Sequence, residues 1–202
     1  MKTKDKIKNK ARELVNKKGF KKVTLREVAK ELSISYGNVT YHFKTKNILI
    51  LNLYEDMLKE TLEILKTFDY VYILKSILEA PKDTFVISIK YLFFYVDFME
   101  IKRSYLDIST KLEQDNTYRK EGYLKILQKL QIQGLLRNEL NDKDLDYLMD
   151  LSGAMRTFFF INLNPNNFFD DDLKDKYVAY VNNLVFPYLT TKGMEKYKLY
   201  LG

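Results

Sequence analysis

The 202-residue chain has no cysteine, which excludes a disulfide framework and a thiolate metal site. Its single histidine, His42, has no sequence neighbours that would complete a catalytic or metal-binding group, and no H-x-x-x-H, Ser-His-Asp, P-loop or G-x-G-x-x-G pattern occurs. No enzyme activity, metal or cofactor is therefore expected. Glycine and proline are scarce, at seven and three, so few breaks interrupt the long apolar periodicities, and an all-α fold is expected. The longest uncharged apolar run, Tyr91 to Val96, is far too short for a membrane span and lies in a charged setting. The N-terminus alternates lysine with polar residues and lacks the apolar core of a secretory signal. A cytoplasmic location with no membrane partner is the expectation.

Charge is unevenly spread. Residues 1–46 hold fourteen Lys/Arg against four Asp/Glu, a difference of +10; with +7 overall, the remaining 156 residues carry 7 − 10 = −3. Cationic charge gathered at one end points to a polyanion, because each phosphate neutralised by Lys or Arg releases condensed counterions. This places a DNA-binding domain at residues 1–46 and a larger helical regulatory and dimerisation domain at 47–202.

The basic end reads as three helices. Ile7, Ala11, Leu14 and Val15 share one face of a helix from Lys2 to Lys18, closed by Gly19. Leu25, Val28, Ala29 and Leu32 form the stripe of a second, which Thr24 and Glu27 open as a T-x-x-E capping box. Ser33 to Ser35 supply a turn, and Ser35 caps a third helix running through Val39 to Phe43. Tyr36, Gly37, Asn38, Thr40, Tyr41 and His42 are left facing outward. Asn38 can pair bidentately with adenine and the Tyr36 ring suits a thymine methyl, so these two are candidates for base contacts in a major groove. Thr24, Ser35, Tyr41, His42 and Lys46 are candidates for phosphate, and Gly37 removes a side chain where the helix would approach the duplex.

Thr24, Val28, Ala29, Ile34, Ser35, Gly37, Val39, His42, Phe43 and Lys46, and above all the stretch GNVTYHFKTK, resemble the helix-turn-helix of the tetracycline-repressor (TetR) family. The resemblance implies the same DNA-contact assignments. Two positions depart from the family pattern: Ser33 stands for the usual turn glycine, which strains the turn if it needs φ > 0, and Thr40 stands for a tyrosine that often contacts phosphate.

Beyond the motif, Thr45 is expected to cap a helix from Lys46 to Lys66 with Ile48, Leu49, Leu53, Met57 and Leu62 on its stripe. Ala80 to Asp83, containing Pro81, should break the chain before a strongly apolar helix from Thr84 to Glu100. Helices are expected over Ile101–Leu112 and Thr117–Arg137, the second holding Gly122 and Gly134 in its interior. Another should open at Asp142 or Asp144 and run to Asn162, and a last long one should begin at Asp170 to Asp172, after the NPNN loop, and end near Pro187. The tail suits a short extra helix.

Phe85, Ser88, Tyr91, Tyr95, Tyr105, Tyr123, Gln133 and Phe159 mix aromatic and polar character and are candidate lining for an apolar or amphipathic ligand. Leu148, Ser152, Met155, Phe159, Tyr177, Val181, Leu184 and Tyr188, on the last two long helices, are the candidate homodimer interface. The resulting expectation is a homodimeric transcriptional regulator, a repressor released by a small ligand from a pseudo-palindromic double-stranded operator with half-sites about 34–36 Å apart. One alternative is a DNA-binding protein of this fold without an inducer, acting structurally or through a protein partner. A second is an enzyme carrying a helix-turn-helix, whose DNA affinity would survive loss of Asn38 and Lys46.

Overall fold

The computed structural model describes residues 2–163 and 171–201; the NPNN loop and Asp170 lie outside them. The described residues form α1 (Thr3–Lys18), α2 (Leu25–Glu31), α3 (Tyr36–His42), α4 (Lys46–Lys66), α5 (Ile73–Lys90), α6 (Phe93–Val96), α7 (Phe98–Ser104), α8 (Leu106–Ile132), α9 (Asp142–Ile161), α10 (Asp171–Val185), a 3-10 turn (Phe186–Tyr188) and α11 (Thr191–Leu201). The fold is all-α. Two compact units divide the chain, one of residues 1–62 with 87–112, the other of 63–86 with 113–202.

In the first unit the expected stripes meet. Ile7, Ala11, Leu14 and Val15 of α1 are buried with Leu25, Val28 and Ala29 of α2 and Val39 of α3. The same core takes in Leu49, Ile50, Leu53 and Tyr54 of α4 and, from later in the chain, Tyr91, Phe93, Phe94, Ile101 and Ile108. A three-helix reader of this size has too little apolar surface to stand alone comfortably, and here it shares its core with α4 and α6 to α8. Ile48 and Leu62, placed on the stripe by their spacing, are exposed; Ile50 and Tyr54 take the inward face instead.

The segment from 73 to 104 corrects two expectations. Pro81 does not break the chain but lies inside α5, on its buried face between Leu78 and Phe85. Proline removes one intrahelical donor and crowds the preceding turn; in that turn the Leu78 carbonyl accepts from the buried amide of Asn182 at 3.0 Å. The interruption lies instead at Tyr91–Leu92, so that the single helix expected to reach Glu100 is the end of α5 followed by the short α6 and α7. The Asn16 side chain bridges that interruption, donating to the Lys90 carbonyl and accepting from the Phe93 N–H, both at 3.0 Å. Helix-end groups that would be orphaned are thereby satisfied. Glu60 of α4 accepts from Lys90 and from the Tyr91 hydroxyl at 2.8 Å; burial, and then this bond, push the Tyr91 pKa up.

The second unit has its own core, built from Ile73, Leu74, Ile77 and Leu78 of α5, Ile126, Leu127 and Leu130 of α8, Leu145 and Leu148 of α9, and Val185 and Leu189. α8 is one continuous helix where two were expected, with no break at 113–116. It ends at Ile132, because Gly134 is not interior: at φ +67 it turns the chain, its N–H bonding Gln131 O at 2.8 Å and Leu135 N–H bonding Leu130 O at 2.9 Å. That pair of bonds is the Schellman closure. α9 opens on a reciprocal capping box in which Asn141, one residue before the expected start, is the cap and Asp144 answers it. α10 ends before Pro187, which sits in the 3-10 turn. The final helix packs so close to residue 135 that a Cβ on Gly193 would lie 2.1 Å from the Leu135 carbonyl oxygen.

Candidate nucleic-acid interface

Thr24 caps α2, its hydroxyl accepting from Glu27 N–H at 3.2 Å. The Glu27 carboxylate pairs with Lys18 at 2.5 Å, and that ammonium holds it below the usual carboxylate range. After α2 the chain turns on Ser33 at φ +54, with Ser33 N–H on Lys30 O at 3.0 Å and Ile34 N–H on Ala29 O at 3.1 Å. This is the same closure that Gly134 makes in α8, here with a serine in the left-handed position. The turn needs φ > 0, and Ser33 adopts it at a cost that glycine would not incur.

Ser35 then caps α3, accepting from Asn38 N–H at 3.1 Å. Of α3 only Val39 is buried, and its remaining side chains stand on a helix whose position is set from behind. Tyr41 is 84 % exposed and Tyr36 43 %, with Gly37 and Asn38 exposed beside them. The space beside Gly37 is open apart from Ser35 Oγ, 3.9 Å from where a Cβ would lie. His42 is half-buried, its ring edge-on to Tyr41 at 5.1 Å. The Thr40 hydroxyl turns back to donate within its own helix, to Tyr36 O at 3.1 Å or Gly37 O at 3.2 Å. Arg26 of α2 places its guanidinium 4.8 Å from the Tyr36 ring centroid, a stacking contact that orients the ring. Arg26 was not among the expected site residues; helical spacing shows that it is exposed but not that it reaches α3.

Thr24, Ser35, Tyr36, Gly37, Asn38 and Tyr41 thus share the outer surface of two short helices, with the exposed Lys44 following. Lys46 is placed differently from its expected outward setting. Its ammonium folds back to donate to the Phe20 carbonyl and sits 4.0 Å from the Phe20 ring centroid; burial lowers its pKa. Chemically the exposed face offers an amide, phenols and hydroxyls on a rigid helix within a cationic surround, which suits base edges in a major groove flanked by phosphates.

The eight candidate pocket residues divide between the two units. In the first unit, Ser88 and Tyr95 join their hydroxyls at 2.9 Å, Tyr91 bonds Glu60, and Tyr105 packs edge-on to Phe20 at 5.6 Å. In the second, Phe85 and Phe159 pack on Tyr177 at 5.4 and 5.2 Å, and Gln133 donates to Tyr70 O at 3.0 Å. Of the eight, Tyr123 alone lines a cavity of about 30 Å³ in the second unit, together with Ile77, Leu127, Leu148, Met149, Ser152, Val181, Asn182, Leu184 and Val185.

The candidate dimer face is partly covered by its own chain. Leu148, Phe159, Tyr177 and Val181 are buried, and Ser152, Met155, Leu184 and Tyr188 are half-buried, within this chain's own second unit. α9 and α10 pack on each other and Phe85 of α5 meets their aromatic cluster, so part of this stripe is covered within the chain. The neighbouring α9 stripe is the one left outside, with Phe158 67 % and Ile161 49 % exposed, Ala154 exposed, and Tyr147 and Tyr180 exposed alongside.

Among the described residues no helix is long and apolar enough to cross a membrane, and no cluster of His, Cys, Asp and Glu could hold a metal ion. No curated protein sequence matches the chain. Solved structures do. A TetR-family transcriptional regulator from Marinobacter aquaeolei VT8 is similar over 98 % of this chain and 97 % of its own, at 24 % identity and a TM-score of 0.84. The ketosteroid transcriptional regulator KstR2 of Mycobacterium tuberculosis is similar over 94 % and 96 %, at 14 % identity and a TM-score of 0.70. The TetR-family regulator PfmR from Thermus thermophilus follows over 89 % and 96 %, at 17 % identity and 0.66. The family profile described as "Bacterial regulatory proteins, tetR family" matches residues 7–53, the stretch containing the helix-turn-helix, and that described as "Bacterial transcriptional repressor" matches residues 53–197. The chain therefore belongs to the TetR family and is a DNA-binding transcriptional regulator.

Proposed function

We propose that this protein is a homodimeric repressor whose residues 1–46 read a pseudo-palindromic operator and whose residues 47–202 sense a small ligand and dimerise. The observation that carries the reading is α3, held from behind by Val39 and capped by Ser35, with Tyr36, Asn38 and Tyr41 turned to solvent. In this reading Tyr36 and Asn38 contact bases, while Thr24, Ser35, Tyr41 and His42 contact phosphates, and Gly37 permits close approach. Two copies join through the outer stripe of α9 (Tyr147, Leu151, Ala154, Phe158, Ile161) with Tyr180 of α10. Exposed tyrosine, phenylalanine and isoleucine in one stripe make an apolar patch of the kind that marks an interface.

A ligand in the second unit would shift the dimer towards a state with the readers wrongly spaced, a coupling on the order of 1–3 kcal/mol being enough for induction. The second reading is a regulator of this fold that answers to a protein partner or to none. Selection of bound fragments from genomic DNA, with and without candidate apolar ligands, decides between them. Enrichment of paired half-sites that is lost with ligand supports the inducible repressor. Enrichment indifferent to every ligand supports the second reading, and failure to enrich any sequence overturns the reader assignment.

A further inference from the structure

We propose that Lys4, in the first turn of α1, is a DNA-phosphate contact that lies outside the helix-turn-helix. The inference rests on the reader assignment above. α1 is rich in lysine, and the structure divides its cations into those with an internal partner and those without. Lys8 pairs with Asp56 of α4 at 2.6 Å, Lys10 with Glu13 at 2.7 Å and Lys18 with Glu27 at 2.5 Å, while the Arg12 guanidinium stands 5.2 Å from the centroid of the buried Tyr91 ring. Lys2, Lys4 and Lys6 are exposed, and among the described residues none of the three meets a carboxylate. All three precede residue 7, where the stretch shared with the family profile begins.

Of the three, Lys4 stands beside the reader. Its ammonium lies 5.6 Å from the ring centroid of Phe43, the residue that closes α3 with its N–H on Val39 O at 2.9 Å. Phe43 is buried, so the lysine stem lies over a core residue while the charged head stays at the surface. Lys8, one turn further along the same face of α1, is committed to α4 instead. Lys44, which follows Phe43, is also exposed, so two cations flank the C-terminal end of α3. That helix has seven residues, a length of about 10 Å, and a major groove is about 12 Å wide. Side chains beyond the ends of a helix seated there meet the phosphate backbone and not base edges. Lys4 has no carboxylate to leave in reaching it, and each phosphate it neutralises releases condensed counterions.

The test measures the affinity of the full-length protein for its selected operator between about 50 and about 200 mM salt. Lys4→Met removes the charge and keeps an apolar stem over Phe43. Each lost phosphate contact lowers the slope of log K against log salt by about 0.9, hence about 1.8 for a dimer, so across that range the wild type should lose about tenfold more affinity than the variant. Base preference should not change, because phosphate contacts carry no sequence information. Lys4→Arg keeps the charge and should keep the slope. Lys10→Met takes the same charge from the same helix, but from an ammonium held by Glu13, and should leave the slope nearly unchanged. An unchanged slope in Lys4→Met, a slope lost in Lys4→Arg as well, or an equal drop in Lys10→Met would overturn the proposal, the last because charge anywhere on α1 would then suffice. Asn38→Ala, run beside them, keeps the two levels apart: retained base preference there refutes the reader assignment itself, whereas relaxed preference with an unchanged Lys4→Met slope refutes this contact alone.

Discussion

Replacing Ser33 by glycine should stabilise the protein, and the magnitude follows from the turn. Ser33 sits at φ +54 as the closing residue of α2, in the left-handed region that costs an L-residue about 1–2 kcal/mol. Glycine removes that cost but loses about 0.5–1 kcal/mol more backbone entropy on folding, leaving a net gain on the order of 0.5–1 kcal/mol. The side chain is exposed and the two closing hydrogen bonds are made by backbone groups that glycine retains, so little offsets the gain. Urea unfolding should show the midpoint rising, and thermal unfolding a rise of about 2 °C for a chain of this size. Ser33→Ala keeps the strained φ and should change stability by less than about 0.5 kcal/mol. Gly134, at φ +67 in the same closure of α8, is the mirror experiment: Gly134→Ala should destabilise by about 1 kcal/mol. Because the angle between α2 and α3 is preserved, operator affinity of Ser33→Gly should stay within about twofold. A loss of stability in Ser33→Gly, or an equal gain in Ser33→Ala, would refute the reasoning.

Asn38→Ala should relax base preference at one operator position, by about 1–3 kcal/mol of discrimination, without changing the salt slope; competition between operator variants reads this directly. Gly193→Ala should destabilise the chain by more than about 2 kcal/mol, since the new methyl would lie 2.1 Å from the Leu135 carbonyl oxygen and backbone must move; unfolding midpoints test it. Phe158→Glu combined with Ile161→Glu should convert dimer to monomer in analytical ultracentrifugation while leaving the helical circular dichroism intact, because both side chains are exposed in the single chain. A dimer that persists would place the interface elsewhere.

Much of the first unit was legible because its signals are local. Thr24, Ser35 and Thr45 each sit one residue before a helix with a free hydroxyl, and each caps the helix it precedes. The bounds of α4 follow from a cap and an apolar periodicity that no glycine or proline interrupts. Pro81 does not end the helix because the penalty for proline is set by context, and here the ring lies on the buried face of α5. Gly134 misled in the opposite sense, since a glycine inside a helix and one that ends it look alike until φ is known.

Periodicity shows that α9 is apolar on two stripes but not which one its own chain consumes. α10 and Phe85 decide that, burying Phe159 and leaving Phe158 outside. What the sequence determined by itself was the helices of the reader, their caps, the concentration of positive charge and the family, all of which depend on residues within a turn or two of one another. Only the tertiary structure decided which apolar faces meet, and whether Lys46 points to solvent or to Phe20, because those outcomes turn on groups that the chain brings together from far apart.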